Sequence, residues 1–195
     1  MLTYITFDII IFLSSDAMHI EYECTLLEID KDQLIRNIKK LGGKKRGEYF
    51  QKRYVYDFDP VDPHKWIRLR TNGKKTTLTI KNIFDKNIVG GTEETEIEVS
   101  DFETTNIILN ELGYVHRNYQ ENKRITYVLD DVEIDIDSWP LIPTYAEFEG
   151  KNEEDLKQVI AKLSVNQNKL VNCDVVTIYK DYYDIDILAI KELRF

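Results

Sequence analysis

Between Val132 and Gly150 the chain alternates charged and apolar residues twice over, and few folds can use that pattern. Glu133, Asp135 and Asp137 interleave with Val132, Ile134 and Ile136; after Trp139-Pro140-Leu141-Ile142-Pro143, Tyr145, Glu147 and Glu149 interleave with Ala146 and Phe148. Successive side chains of a strand face opposite ways, so a period of two reads as strand, turn, strand, with carboxylates on one face and core residues on the other. Carboxylates crowded together cannot all stay ionised cheaply away from water. Their face needs open solvent, basic partners or a divalent cation.

The same alternation recurs upstream. Ile20 to Leu27 places Glu21, Glu23 and Thr25 on one face and Ile20, Tyr22, Cys24 and Leu26 on the other. Asp30 with Gln33 forms a capping box for a helix with the stripe Leu34, Ile35, Ile38 and Leu41, stopped by Gly42-Gly43. Strands follow at Gln51 to Phe58 and Lys65 to Thr71, the latter bearing Arg68 and Arg70. Asn72-Gly73 then turns the chain into Thr76 to Phe84, with Thr77, Thr79 and Lys81 on one face. After a turn at Gly90-Gly91 comes a strand with Glu94, Glu96 and Glu98, then a capping box of Ser100 with Glu103 and a helix ending at Glu111-Leu112-Gly113. A third helix opens at Asn152 on the stripe Leu156, Val159, Ile160 and Leu163. The tail from Val175, which holds Lys180, reads as a helix or lid.

Two dipeptides repeat at one offset. Leu41-Gly42 returns as Leu112-Gly113 and Lys52-Arg53 as Lys123-Arg124, each 71 positions later. The chain therefore reads as a duplicated unit of strand, helix and further strands, giving two related sheets with helices on their apolar faces. The first half carries Arg68, Arg70 and Lys81 where the second carries Asp135, Asp137, Glu147 and Glu149.

At 195 residues, residues 18–195 make one domain, and a formal charge of -9 argues against a general nucleic-acid face. Residues 1–17 contain the apolar run Ile9 to Leu13, too short to span a membrane and without a basic flank. They read as a leader outside the domain, with translation expected to start at Met18. Cys24 and Cys173 show no zinc spacing and indicate a cytoplasmic thiol state; Cys24 falls on a core face. Gly42-Gly43-Lys44-Lys45 lacks phosphate-loop spacing and serves as the helix stop. Trp66 and Trp139 read as packing residues, Glu94 and Glu98 as sheet-surface carboxylates, and Glu96 as an open case. Arg124, rather than its neighbour Lys123, takes the charged face.

Strands with one apolar and one charged face permit an open sheet facing water or a closed barrel with a charged lumen. Solvated surfaces intermix signs, whereas here each strand tends to carry one, which favours the lumen. Hard oxygen ligands suit Mg²⁺ or Mn²⁺, and guanidinium and ammonium groups clamp phosphate oxygens. An acidic wall beside a basic wall therefore suits a metal-bound polyphosphate.

Six segments, in order over almost all of residues 18–195, resemble the CYTH family of triphosphate tunnel metalloenzymes: Glu21-Tyr22-Glu23, Trp66-Ile67-Arg68-Leu69-Arg70, Leu78-Thr79-Ile80-Lys81, Lys123-Arg124, Ile134-Asp135-Ile136-Asp137 and Glu147-Phe148-Glu149. The family includes class IV adenylate cyclases, thiamine triphosphatases and inorganic tripolyphosphatases. The resemblance implies an α+β fold, an eight-stranded antiparallel closed β-barrel with covering helices, and a cofactor of Mg²⁺ or Mn²⁺. It implies metal binding by Glu21, Glu23, Glu147 and Glu149 with Asp135 and Asp137 assisting, and catalysis by Glu21, Glu23 and Asp137. Phosphates would be bound by Arg68, Arg70, Lys81 and Arg124, with Lys180 closing the site. The expected partner is a small-molecule triphosphate, with no nucleic acid and no membrane, and the cyclase relatives imply a homodimer.

Three activities stay open: a triphosphate hydrolase, an adenylate cyclase making cyclic AMP and pyrophosphate, and an impaired polyphosphate binder. The third is motivated by Thr25, which stands where the family signature Glu-x-Glu-x-Lys has lysine. A charge-assisted contact is worth about 1.5–3 kcal/mol, so the exchange costs about ten- to a hundredfold in affinity or rate. Lys52 or Lys123 is the expected substitute.

Overall fold

The structure, a computed structural model, describes residues 18–85 and 91–195, and for residues 18–21 the backbone alone. The expected leader, Gly90 and the Glu21 side chain lie outside the described residues. In chain order the elements are β1 (Met18–Leu26), α1 (Lys31–Lys40), β2 (Lys44–Asp62), β3 (Lys65–Thr71), β4 (Thr76–Ile83), β5 (Thr92–Val99), α2 (Phe102–Glu111), β6 (Asn118–Leu129), β7 (Val132–Ser138), β8 (Tyr145–Gly150), α3 (Glu153–Leu163), β9 (Leu170–Val171), α4 (Val175–Thr177) and β10 (Glu192–Leu193). The duplication is visible in this order, because β1-α1-β2-β3-β4 is followed by β5-α2-β6-β7-β8. Helices α1 and α2 have the same length, 10 residues, and lie at the repeat offset.

The halves do not form two sheets. All strands join one curled sheet in the order β10-β6-β2-β3-β4-β5-β1-β8-β7, β7 also pairs with β6, and β9 pairs with β1. The neighbours among β1 to β8 are antiparallel, whereas the two-residue β10 lies parallel to β6. The two-sheet expectation fails because each half gives its first strand to the other: β1 pairs with β8, and β5 with β4. Register shows the symmetry, since Gln51 lies opposite Asn122 and Glu21 opposite Thr92, each pair separated by the repeat offset.

Apolar burial then fixes which face is which. Leu34 and Ile38 of α1 and Leu156, Val159, Ile160 and Leu163 of α3 pack on Cys24, Leu26, Ile134, Ile136, Ala146 and Phe148. Phe102 and Leu109 of α2 cover Tyr56, Ile67 and Leu69. The tail forms short helical turns, in which Ile178, Tyr179 and Ile187 pack against Trp139, Ile142 and Tyr145. With the apolar faces covered, the charged faces of β1 to β8 turn to one shared cavity.

Helix starts follow the expected chemistry with one correction. Asp30 accepts a hydrogen bond from the Gln33 N–H at 2.9 Å, but the Gln33 side chain donates to Asn37, so the capping box is half made. Helix α2 is capped by Asp101 instead of Ser100, accepting from the Thr104 N–H at 2.7 Å. Glu103 therefore sits one residue too early to close a box. Gly42 stops α1 at a φ of 89°, a conformation that favours glycine. Among the described residues no helix is long and apolar enough to cross a membrane.

Candidate active site

A cavity of about 570 Å³ is lined by charged side chains from β1 to β8 and, at one edge, by Cys173 to Thr177. Its basic side comes from β2, β3 and β4. Trp66, Arg68 and Arg70 alternate along β3, and Lys81 lies on β4 directly opposite Trp66. Strand β5, contributed by the other half, brings the carboxylates these cations need. Glu94 receives hydrogen bonds from Arg68 at 3.2 Å and lies 3.1 Å from the Lys81 ammonium. Glu96 accepts from the Thr79 hydroxyl at 2.8 Å and lies 4.0 Å from Arg70. Burial raises the Glu94 carboxyl, but Arg68 and Lys81 outweigh it and hold the group well below the carboxylate range. Glu94 is thus a buried counterion and not a surface carboxylate, whereas Glu98 is exposed, 3.6 Å from Lys75.

The acidic side is built on β7, β8 and β1. Register lines up Glu133, Glu149 and Glu23 across the three strands, with Asp135, Glu147 and Thr25 as the next row. Arg124 of β6 reaches into that second row. Its guanidinium bonds Asp137 through Nε at 2.9 Å and again through Nη2, donates to Glu147 at 2.6 Å, and pairs with Asp135. Burial alone would lower the Arg124 pKa, but Asp137, Asp135 and Glu147 raise it well above normal. Desolvation pushes Asp135 up to about 6 even against Arg124, and burial raises Glu147 as well.

Of the residues expected at the site, Glu23, Arg68, Arg70, Lys81, Arg124, Glu147 and Glu149 line the cavity. Asp135 and Asp137 do not; they lie behind Arg124 and hold it. Lys180 is not brought to the cavity either, being exposed and 3.5 Å from Asp184. Thr25 is buried on the lining and opposite Glu147. Neither expected substitute for a lysine there is available: Lys52 is exposed, and Lys123 lies over the Phe195 ring at 4.1 Å.

The cavity also holds residues absent from the expected set, notably Arg53, Glu133, Trp139 and Tyr145. Trp66 and Trp139 line it rather than serving only as core. Arg53 was marked in the sequence, since it precedes Arg124 by the repeat offset. Cys24 is in the core as expected, its thiol pushed up to about 12 by burial.

Residues 19–177 match the CYTH domain. The chain belongs to the CYTH family. Members of this family are triphosphatases or adenylate cyclases that depend on divalent metal. No curated protein matches this CYTH chain significantly, but solved structures share its fold. A conserved hypothetical protein from Pyrococcus furiosus has a TM-score of 0.69 at 21% identity, covering 80% of this chain and 97% of its own. An adenylate cyclase candidate from Vibrio parahaemolyticus has a TM-score of 0.68 at 14% identity, covering 83% and 98%. An adenylyl cyclase candidate from Hippeastrum, described as revealing a dominant triphosphatase activity, has a TM-score of 0.56 at 14% identity, covering 87% and 98%.

Proposed function

We propose that this CYTH protein is a divalent-metal-dependent hydrolase of a triphosphate compound, which it holds by its phosphates inside the charged cavity. The observation that carries this reading is the gathering of Arg53, Arg68, Arg70, Lys81 and Arg124 on one cavity together with Glu23, Glu147 and Glu149. Cations at this density serve a ligand with several anionic groups along its length. The β6–β7 pairing brings the circuit of eight strands back on itself, and we read the sheet as a tunnel.

By donor type the carboxylates fit a hard cation such as Mg²⁺ or Mn²⁺. Among the described residues no three His, Cys, Asp or Glu side chains form a ready-made group for one. Glu23, Glu147 and Glu149, joined by Glu21, would hold it when the phosphates arrive. The ion would supply charge neutralisation at the phosphate oxygens. The chain's own residues do the rest. Arg68, Arg70 and Lys81 hold the phosphates in line, with Glu94 and Glu96 fixing their positions. Asp135 and Asp137 keep Arg124 aimed at the cavity as charge develops on the transferred group. Water attacks the terminal phosphorus, and the bond from that phosphorus to the bridging oxygen breaks with its electron pair going to the oxygen. Orthophosphate and the diphosphate remainder are released, one proton of the water passing to solvent or to the leaving oxygen.

A second reading, adenylate cyclase, is favoured by the apolar stretch of the lining, where Val61, Pro63, Trp66 and Ile83 offer a surface for an organic group. There the nucleophile is the ribose hydroxyl and pyrophosphate leaves. Product analysis with ATP and Mg²⁺ or Mn²⁺ separates the two. The hydrolase releases phosphate without cyclic AMP; cyclic AMP with equimolar pyrophosphate would replace the first reading by the second. Binding of tripolyphosphate without any turnover would leave the cavity a binding site only.

A further inference from the structure

Arg53 differs from every other cation of the cavity in what surrounds it. Arg68, Arg70, Lys81, Arg117 and Arg124 each have a carboxylate within 4.0 Å. Arg53 is 6% exposed, and its hydrogen bonds go to two neutral amide oxygens, Gln51 at 3.0 Å and Asn122. Its guanidinium lies over the Trp139 ring at 4.5 Å, and its buried Nε has no hydrogen-bond partner. Across the β2–β3 ladder it stands directly opposite Arg70, whose contact with the Glu96 carboxylate is at the outer limit of ion pairing, 4.0 Å. Like charges directly opposed in a sheet destabilise it, and a buried cation without a counterion costs more. Its repeat counterpart Arg124 is clasped by three carboxylates, so the same position has been given opposite surroundings in the two halves.

We infer that Arg53 and Arg70 form a two-guanidinium clamp for one phosphoryl group, with Arg53 the cavity's dedicated anion-binding residue. The inference rests on the triphosphate reading. Two planar forks on facing positions of adjacent strands suit the several oxygens of a phosphoryl group. That group supplies the contact counter-charge that Arg53, hydrogen-bonded to Gln51 and Asn122, does not take from a carboxylate among the described residues. Trp139 covers one face of the Arg53 guanidinium and keeps its plane fixed. Burial and the charges of Arg70, Arg68 and Arg124 lower Arg53 to about 9 although Asp137 acts the other way, in keeping with a cation held against net repulsion until an anion enters.

The test uses the full chain in phosphate-free buffer with Mg²⁺, measuring the Kd for tripolyphosphate by calorimetry and Tm without ligand. For Arg53→Gln the Kd is expected to rise about ten- to a hundredfold, while the ligand-free Tm is unchanged or higher. Arg53→Lys, which keeps the charge but loses the fork, is expected to fall between. An unchanged Kd in Arg53→Gln overturns the clamp, and a lowered ligand-free Tm with unchanged Kd identifies Arg53 as a packing residue on Trp139. If Arg53→Gln does not fold, Arg53→Lys decides, an unchanged Kd again overturning the clamp. Arg70→Gln separates the two levels of argument. Weakened binding there with none in the Arg53 variants removes the clamp and leaves the triphosphate reading standing, whereas wild type that binds no tripolyphosphate removes both.

Discussion

Arg68 and Lys81 share one carboxylate, Glu94, at 3.2 and 3.1 Å, in surroundings where that carboxylate is 4% exposed. Replacing it by the neutral amide leaves two largely enclosed cations without it, and breaking a contact of a buried carboxylate costs about 3–5 kcal/mol. Glu94→Gln is therefore expected to lower stability at pH 7 by about 3 kcal/mol in urea unfolding. The pH dependence follows from the same pairing. The folded pKa of Glu94 lies below the unfolded value of 4.5, so its contribution is complete above that pH and is lost as pH falls through the folded pKa. Acid should erode wild type more steeply than Glu94→Gln across that window; parallel curves would contradict the assignment. At Thr25, opposite Glu147 on the cavity wall, Thr25→Lys adds a cation beside the acidic row. Tripolyphosphate affinity should improve about tenfold or more, and no gain would show that the threonine costs the site nothing. Strand alternation told which residues share the charged face, so Arg68, Arg70, Lys81, Glu23 and Glu147 were legible in sequence. It could not tell which strand lies next to which, and that is why Glu94 read as a surface acid.

Helices α1 and α2 begin at Asp30 and Asp101, each accepting from the N–H three residues on. The two caps are one repeat offset apart, so the duplication pointed to Asp101 even though Ser100 and Glu103 offered the more familiar spacing. Asp101→Ala should lower the melting temperature by the loss of the cap and Ser100→Ala should leave it close to wild type, as read by thermal unfolding. The reverse order would restore the serine cap. The strands show the same balance between local and distant information. Strand β3 fell at its expected bounds because alternation and the Asn72-Gly73 turn both act locally. The length of β2, 19 residues, was not legible, since its first turn of chain after Gly43 is held by pairing with β6 and not by its own pattern.

Over the whole molecule, exchange of the first strands between halves is what makes the cavity. Had each half kept its own first strand, the cations of β3 and β4 would lack Glu94 and Glu96, and Glu147 and Glu149 would lack Glu23 beside them. No run of residues announces an exchange, because β1 and β5 are each compatible with either neighbour. The charge segregation was legible; the crossing that turns it into ion pairs was not. Arg124 shows how much the whole depends on those pairs, and Arg124→Gln, which strips Asp135, Asp137 and Glu147 of their shared cation, should cost about 3–5 kcal/mol at pH 7. An unfolding midpoint equal to wild type would mean the three acids are neutralised elsewhere. The most direct test of the function is phosphate release from tripolyphosphate by the full chain, with Mg²⁺ or Mn²⁺ and with chelator, beside Glu147→Gln. Release that requires the metal and is lost in the variant is the expected result; release that persists in chelator or in Glu147→Gln, or none from wild type, would contradict a metal-dependent hydrolase in this cavity.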